Sequence, residues 1–310
     1  MTTSPLIVIS EFMDGPAVER LAATHRTLYD PGLVDDPERL ASVVGDARAL
    51  VVRNRTQVRP ALLDRAPKLE VVGRLGVGLD NIDLDACRSR GIAVRPATGA
   101  NSTAVAEYVI AAAMMLVRGA YLSTAEVAAG NWPRNRLIGG ELCGRTLGLI
   151  GFGDIARQVA DRARALGMNC VAFDPHLPDD DPDWQKTRRA DLDTLLETSD
   201  VVSLHVPLTD ETRHLIDAAR LATMKAGACL INTARGGVLD EAALVKALRH
   251  GHIGGAALDV FENEPLSASG GAAYAGLTNL ILTPHIAGVT HESNVRVSDM
   301  IAEAVLAELG

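Results

Sequence analysis

Short apolar runs alternate along the chain with stretches whose apolar positions recur at helical spacing. This alternation predicts strands and helices in turn. In the first hundred residues the runs 6–9, 50–53, 71–75 and 93–95 read as strands, with helices at 17–23 and from about Asp83. The Ala-rich stretch 101–117 reads as a long core helix with Asn101 as its N-cap. Further strands fall at 146–150, 170–173, 201–205, 229–232, 255–260 and 281–283, separated by helices at 192–197, 218–224 and 241–248. A last amphipathic helix spans 291–309, with Thr290 as N-cap and Glu292 in its first turn. Such alternation implies parallel sheets covered on both faces, the doubly wound α/β class. Residues 123–144 break the pattern. They hold Gly130-Asn131-Trp132-Pro133 and read as a long excursion, with an oligomer contact as its use.

The strand at 146–150 runs into Gly151-Phe152-Gly153-Asp154-Ile155-Ala156. Gly151 permits the tight turn, Gly153 lets backbone N–H groups approach a pyrophosphate, and Ala156 is small enough for close helix–sheet packing. The following helix carries Ile155, Ala156, Val159, Ala160, Ala163 and Leu166 on one face and points its positive end at the phosphates. The next strand ends in Asp174, 23 residues after Gly151. An acid there takes both hydroxyls of an adenosine ribose and repels a 2′-phosphate. The unit therefore reads as a Rossmann βαβ that prefers NAD to NADP.

The length of 310 residues suits two domains, and 47% hydrophobic residues suffice for a core in each. Aromatics are only 3%, so Ala, Leu, Val and Ile do most of the packing. A net charge of −9 without a long basic run argues against nucleic acid and anionic membranes as partners. Cys87, Cys143, Cys170 and Cys229 show no CxxC spacing and read as inert buried thiols of a reducing cytoplasm, with no metal site or disulfide. No leader and no uninterrupted span of 18 apolar residues is seen, so a soluble, unexported protein is expected.

Polar residues recur where strands end, which is where ligands bind in such sheets. These are His205-Val206-Pro207, Asn232-Thr233-Ala234-Arg235-Gly236, Asp259 and Pro284-His285. With the glycine turn, the stretches 203–209, 231–237, 259–265 (Asp-Val-Phe-Glu-Asn-Glu-Pro) and 284–288 (Pro-His-Ile-Ala-Gly) resemble the D-isomer-specific 2-hydroxyacid dehydrogenases, in family order. The resemblance spans the chain and is that of a short form without a C-terminal regulatory domain. It implies two Rossmann-like domains, with the substrate-binding domain discontinuous (1–97 and 287–310) around an NAD-binding domain (98–286). It also implies a homodimer formed through the cofactor domain, and a small 2-hydroxy or 2-keto acid as substrate.

The resemblance further implies Arg235, Glu264 and His285 as the catalytic set. The chemistry asks for those residue types. A guanidinium fork binds a carboxylate and polarises the adjacent carbonyl. A histidine exchanges the proton as hydride moves, and a carboxylate orients the imidazole and favours its charged form. Glu262 is expected to be only a neighbour. Cofactor contacts are implied at Gly151, Gly153, Asp154, Ile155, Asp174, His205, Pro207, Thr212, Thr233, Ala234, Arg235, Asp259, His285 and Gly288. Of these, Thr233, Arg235 and Asp259 lie on the nicotinamide side, and His205 is structural or cofactor-adjacent. The loop Arg74-Leu75-Gly76-Val77-Gly78-Leu79-Asp80-Asn81 resembles the family's carboxylate loop, with amides of Gly76, Val77 and Gly78 facing the substrate.

Taken singly, each of these residues has an ordinary reading: a turn arginine, a core histidine, a capping aspartate. In order after a dinucleotide fingerprint, the catalytic reading prevails. The intact catalytic set disfavours an NAD-sensing binding protein, and Glu264, where formate dehydrogenases carry Gln, disfavours that relative. Within the family, the stretches 9–14, 52–56 and 288–294 resemble members acting on a sulfonate-bearing 2-hydroxy acid. Phosphoglycerate and glycerate or hydroxypyruvate are the alternatives. Arg53 is the expected sulfonate ligand. Strand alternation would place Arg55 on the same face, where simple solvent exposure is an equal reading.

Overall fold

The computed structural model describes residues 6–310 and forms two compact units. One runs to Asn101 and resumes at Val289–Gly310; the other is Ser102–Gly288. The chain thus passes between units at 101/102 and 288/289, where the sequence suggested 97/98 and 286/287.

The first unit holds five parallel strands, β1 (Leu6–Ile9), β2 (Arg26–Tyr29), β3 (Ala47–Val52), β4 (Val71–Arg74) and β5 (Ala93–Pro96), in the order β2-β1-β3-β4-β5. The sequence pattern did not reveal β2. It is a partly exposed edge strand, Arg-Thr-Leu-Tyr, with no run of apolar residues. The helix His291–Leu309 covers one sheet face, burying Val297, Ile301, Ala302 and Val305 against Ile7, Ile9, Val51 and Val71. Each valine or isoleucine among them contributes roughly 1.5–3 kcal/mol. Gly73 is what seats this helix, because a Cβ there would lie 2.7 Å from Ile301 Cγ2. The helix starts as the sequence suggested. Thr290 Oγ1 accepts from Ser293 N at 3.0 Å and Ser293 Oγ accepts from Thr290 N at 2.8 Å, a reciprocal cap.

The second unit holds seven parallel strands in the order β12-β11-β10-β9-β6-β7-β8. They are β6 (Thr146–Ile150), β7 (Asn169–Phe173), β8 (Arg188–Arg189), β9 (Val201–Leu204), β10 (Cys229–Asn232), β11 (Gly255–Leu258) and β12 (Leu280–Leu282). The chain leaves β6 towards β7 and β8, then returns to β9 on the other side. The order therefore reverses between β6 and β9, the place beyond whose carboxyl ends ligands bind in such sheets. The expected residue stretches all lie in this sheet, with β8 added as a two-residue exposed edge.

Three local expectations fail. Asn101 does not cap the helix Ser102–Arg118, since its buried Oδ1 has no hydrogen-bond partner. Cys143 is exposed rather than buried; Cys87 and Cys229 are buried and Cys170 half-buried, and all four thiols are free. Arg53 and Arg55 lie beyond the end of β3, so strand alternation does not govern them. The excursion after residue 118 carries a short helix, Thr124–Ala128, followed by irregular chain.

Candidate active site

The glycine turn closes onto the neighbouring strand end. Gly151 has φ +85°, and a Cβ on it would lie 2.6 Å from the carbonyl oxygen of His205, which follows β9. Only glycine meets both demands. Gly153 has open space where a Cβ would point. It stands as the N-cap of the helix Asp154–Ala165 without any side-chain cap, so that helix presents its N-terminal amides unobstructed. At the end of β7, the Asp174 carboxylate accepts from Phe152 N at 2.8 Å and His176 N at 2.9 Å. These bonds fix the acid beside the glycine turn and leave lone pairs for a diol. Thr233 Oγ1, beyond β10, is buried with no hydrogen-bond partner. An open amide cradle, a half-buried acid and an orphaned hydroxyl are what a dinucleotide requires, so these residues fit NAD.

His205 is held by a 2.9 Å contact between Nε2 and Ser203 Oγ. Burial pushes its pKa down to about 4, so the ring is neutral near pH 7. Thr212 spends its hydroxyl inside its own turn, donating to Pro207 O at 2.6 Å and accepting from Thr209 N at 2.7 Å.

Arg235, Glu264 and His285 follow three adjacent strands, β10, β11 and β12. Asn232 shapes the first loop: its Oδ1 accepts from Ala234 N at 3.0 Å and its Nδ2 donates to Arg235 O at 2.8 Å. Gly236 lets this loop lie on the next one, since a Cβ there would come within 1.9 Å of the Phe261 carbonyl carbon. Glu264 is anchored by Phe261 N, which donates to Oε1 at 2.9 Å, while Oε2 lies 2.7 Å from His285 Nδ1. His285 adopts φ +54°, and its amide donates to Asp259 O at 2.7 Å. Burial pushes the Glu264 carboxyl up. The His285 ring, the Phe261 amide and the Arg235 charge together outweigh it, holding the acid below the ordinary carboxylate range.

Asp259 is 1% exposed and works inside the loop. Its Oδ1 accepts from Thr283 Oγ1 at 2.6 Å and Ile286 N at 2.8 Å, and its Oδ2 from Ala287 N at 2.8 Å. One lone-pair position on Oδ2 is left for any further donor. Tyr108 extends this network through its 2.6 Å contact with Thr283. Thr283 and Tyr108 were not singled out in the sequence, and Asn232 only as one polar residue of a strand end. They are polar residues of ordinary type, and only their partners give them meaning. Glu262, expected to be a neighbour, pairs with His214 at 3.1 Å. Among the described residues no cluster of His, Cys, Asp or Glu forms a metal site.

Residues 110–287 match the family described as D-isomer specific 2-hydroxyacid dehydrogenase, NAD binding domain. The chain belongs to the D-isomer-specific 2-hydroxyacid dehydrogenase family. As such it is an NAD-dependent oxidoreductase of α/β fold. It is 58% identical to (S)-sulfolactate dehydrogenase of Chromohalobacter salexigens over 98% of both chains. It is 41% identical to D-3-phosphoglycerate dehydrogenase of Methanocaldococcus jannaschii, over 86% of this chain and 51% of that one. D-lactate dehydrogenase of Aquifex aeolicus, complexed with NAD and lactic acid, superposes with a TM-score of 0.85 at 31% identity, covering 97% of this chain and 94% of that one.

In the first unit, the dehydrogenase's loop after β3 is held from two sides. The Glu11 carboxylate accepts from the amides of Arg53 (2.8 Å), Arg55 (3.2 Å) and Thr56 (2.9 Å). Asn81 Nδ2 donates to the carbonyls of Arg53 (3.2 Å) and Thr56 (2.7 Å). Arg55 is exposed and pairs with Asp35, so the solvent reading holds for it. The half-buried Arg53 instead donates to Asn294 Oδ1 at 2.8 Å. In the loop after β4, Gly76 has φ +147° and its amide donates to Arg74 O at 2.7 Å. That amide is spent, so of the three expected carboxylate donors those of Val77 and Gly78 remain.

Proposed function

We propose that this enzyme oxidises (S)-3-sulfolactate to 3-sulfopyruvate, with the alternative substrates phosphoglycerate and glycerate ranking behind. The observation that carries the reading is 58% identity to a sulfolactate dehydrogenase along 98% of the chain. The Arg53 side chain supports it, because among the described residues no carboxylate pairs with its guanidinium, which leaves a charge available to an anion. The stereochemistry agrees. The sulfur-bearing branch outranks the carboxyl in naming, so (S)-sulfolactate has the spatial arrangement of D-lactate at C2. A sulfonate also needs only one positive charge, whereas a phosphomonoester carries nearly two negative charges at neutral pH.

NAD is held by the turn Gly151–Gly153 and the amides of Asp154 and Ile155, by Asp174 at the ribose, and by residues beyond the ends of β9 to β12. The latter are His205, Pro207, Thr233, Ala234, Asp259 and Gly288. When bound, the nicotinamide supplies the hydride acceptor. Arg235 binds the substrate carboxylate and stabilises charge on the C2 oxygen. Because Glu264 engages Nδ1 of His285, Nε2 takes the proton of the C2 hydroxyl during oxidation and returns it in reverse. Glu264 stabilises the imidazolium so formed. The amides of Val77 and Gly78 bind the carboxylate as well, and Arg53 binds the sulfonate.

The same reading makes the enzyme a cytoplasmic homodimer. Its cofactor-binding unit exposes Trp132 (80%) and Ile138 (79%) on the excursion after residue 118, apolar side chains suited to a second copy. Among the described residues no helix is long and apolar enough to cross a membrane. The deciding experiment is NADH formation across a panel of 2-hydroxy acids. Sulfolactate should show the highest kcat/KM; a preference for phosphoglycerate or an uncharged acid would overturn the substrate assignment and leave the family intact.

A further inference from the structure

Arg53 is anchored differently from most arginines around it. Arg20, Arg39, Arg48, Arg55 and Arg95 of the same unit each meet a carboxylate. Arg53 meets a neutral amide, Asn294 Oδ1, 2.8 Å from Nη2, and its Cζ lies 5.9 Å from the centre of the Phe12 ring. Neither contact cancels the charge. Burial pushes the guanidinium pKa down, opposed by the nearby Glu11 charge, so the cation is partly stripped of water. The Glu11 carboxylate is itself committed to three backbone amides of the loop.

We propose that Asn294 is a positioning residue for substrate specificity, whose neutral amide oxygen fixes the Arg53 guanidinium while leaving its charge free for the distal oxyanion of the substrate. The inference rests on the sulfonate reading of Arg53. Asn294 lies in the first turns of the helix His291–Leu309, 241 positions from Arg53. That helix is fastened at its start by the Thr290–Ser293 cap and along its length by the buried face of the unit. The amide therefore sits on a rigid element, and the arginine leans on it. An acid at 294 would occupy the same volume and hold the same nitrogen, but it would form an ion pair. The guanidinium would then have to be separated from a fixed anion before it could serve a mobile one. Selectivity for a charged substrate thus depends on the residue at 294 being a neutral acceptor.

The test compares Asn294→Asp, Asn294→Ala and Arg53→Ala in the full-length enzyme. Steady-state kinetics are measured with sulfolactate and with D-lactate at saturating NAD. The readout is the ratio of the two kcat/KM values. Asn294→Asp should lower this ratio about tenfold to a hundredfold, the worth of a charge-assisted hydrogen bond, and chiefly through KM for sulfolactate. Asn294→Ala, which loosens the arginine but leaves its charge, should lower it only about threefold to tenfold. A purely structural role predicts the opposite order, with Ala at least as harmful as Asp and both substrates affected alike, and that result would overturn the proposal. A ratio that responds to Arg53→Ala but not to Asn294→Asp removes the role of Asn294 alone. A ratio indifferent to Arg53→Ala removes the sulfonate reading of Arg53 and the proposal with it. Should Asn294→Asp not fold, a ratio unmoved by Asn294→Ala refutes the proposal by itself.

Discussion

His285 and Arg53 are both nitrogen bases held against an oxygen, and the oxygens differ in charge. His285 faces the Glu264 carboxylate at 2.7 Å; Arg53 faces the Asn294 amide at 2.8 Å. In the proposed mechanism the histidine gains and loses a proton during turnover, and a carboxylate partner stabilises the charged form as it arises. In the proposed sulfonate site the arginine stays charged and available, and a carboxylate partner would compete with the substrate. On this reading nearly equal distances serve opposite ends. Acid–base chemistry calls for a matched charge, and recognition of an anion calls for an unmatched one.

The strongest way to break this contrast is to remove the proposed proton carrier. His285→Ala should lower kcat by about a hundredfold to ten-thousandfold, the usual worth of a general acid or base. NADH affinity, read by fluorescence titration, should be largely kept. Equal loss of turnover and of NADH binding would mean that the imidazole shapes the cofactor site rather than exchanging the proton.

Next in size is the recognition side. Arg53→Ala should reduce kcat/KM for sulfolactate by about tenfold to a hundredfold more than for D-lactate, which has no group for the guanidinium. A uniform loss across both substrates would turn Arg53 into a support of its own loop. Arg134, Arg136 and His291 would then be the next candidates for the sulfonate, although Arg136 is already paired with Glu126.

These two sites were legible to different degrees. Arg235, Glu264 and His285 each follow a strand of one sheet at short range, so local motifs locate them in order along the chain. The Arg53 setting is assembled from Glu11, Asn81 and Asn294, which are far apart in sequence. No local pattern predicts that Glu11 will cap three amides or that Asn294 will meet Arg53. The strand rule that paired Arg53 with Arg55 failed because β3 ends at Val52, and residues beyond a strand no longer alternate. The edge strand β2 was missed for a related reason: with little of it buried, nothing in its composition needed to be apolar. Asn101 misled in the other direction. It is a good capping type at a helix start, yet its side chain makes no cap.

The carboxylate partner of His285 offers a finer cut. Glu264→Gln keeps an acceptor beside Nδ1 and removes the charge. The imidazolium is then less favoured, so the rising limb of the pH–rate profile for oxidation should move to lower pH by about one unit. The sign also follows from Glu264 itself. Burial opposes its charged form, but contacts to His285, Phe261 and Arg235 hold its carboxyl below the ordinary range, so it is an anion at neutral pH. A limb that stays in place while kcat falls would show that Glu264 orients the ring without tuning it.

The smallest effect tests a third carboxylate, one that is neither paired with a base nor withheld from one. Asp174 accepts from the amides of Phe152 and His176 and keeps lone pairs for the ribose diol proposed to bind there. Asp174→Ala removes both functions, so absolute affinities mix a loosened turn with a lost ligand contact. The ratio of kcat/KM for NAD to that for NADP divides out the shared loss. What remains is the hydrogen bonding that NAD loses and the repulsion that NADP escapes. An ordinary hydrogen bond is worth about 0.5–1.5 kcal/mol, so the ratio should narrow by about threefold to tenfold. Asp174→Asn keeps an acceptor for one amide and discards the charge. It should narrow the ratio nearly as much while sparing the melting temperature. If neither variant moves the ratio, the carboxylate serves the glycine turn alone, and selection against the 2′-phosphate must come from elsewhere in the second unit.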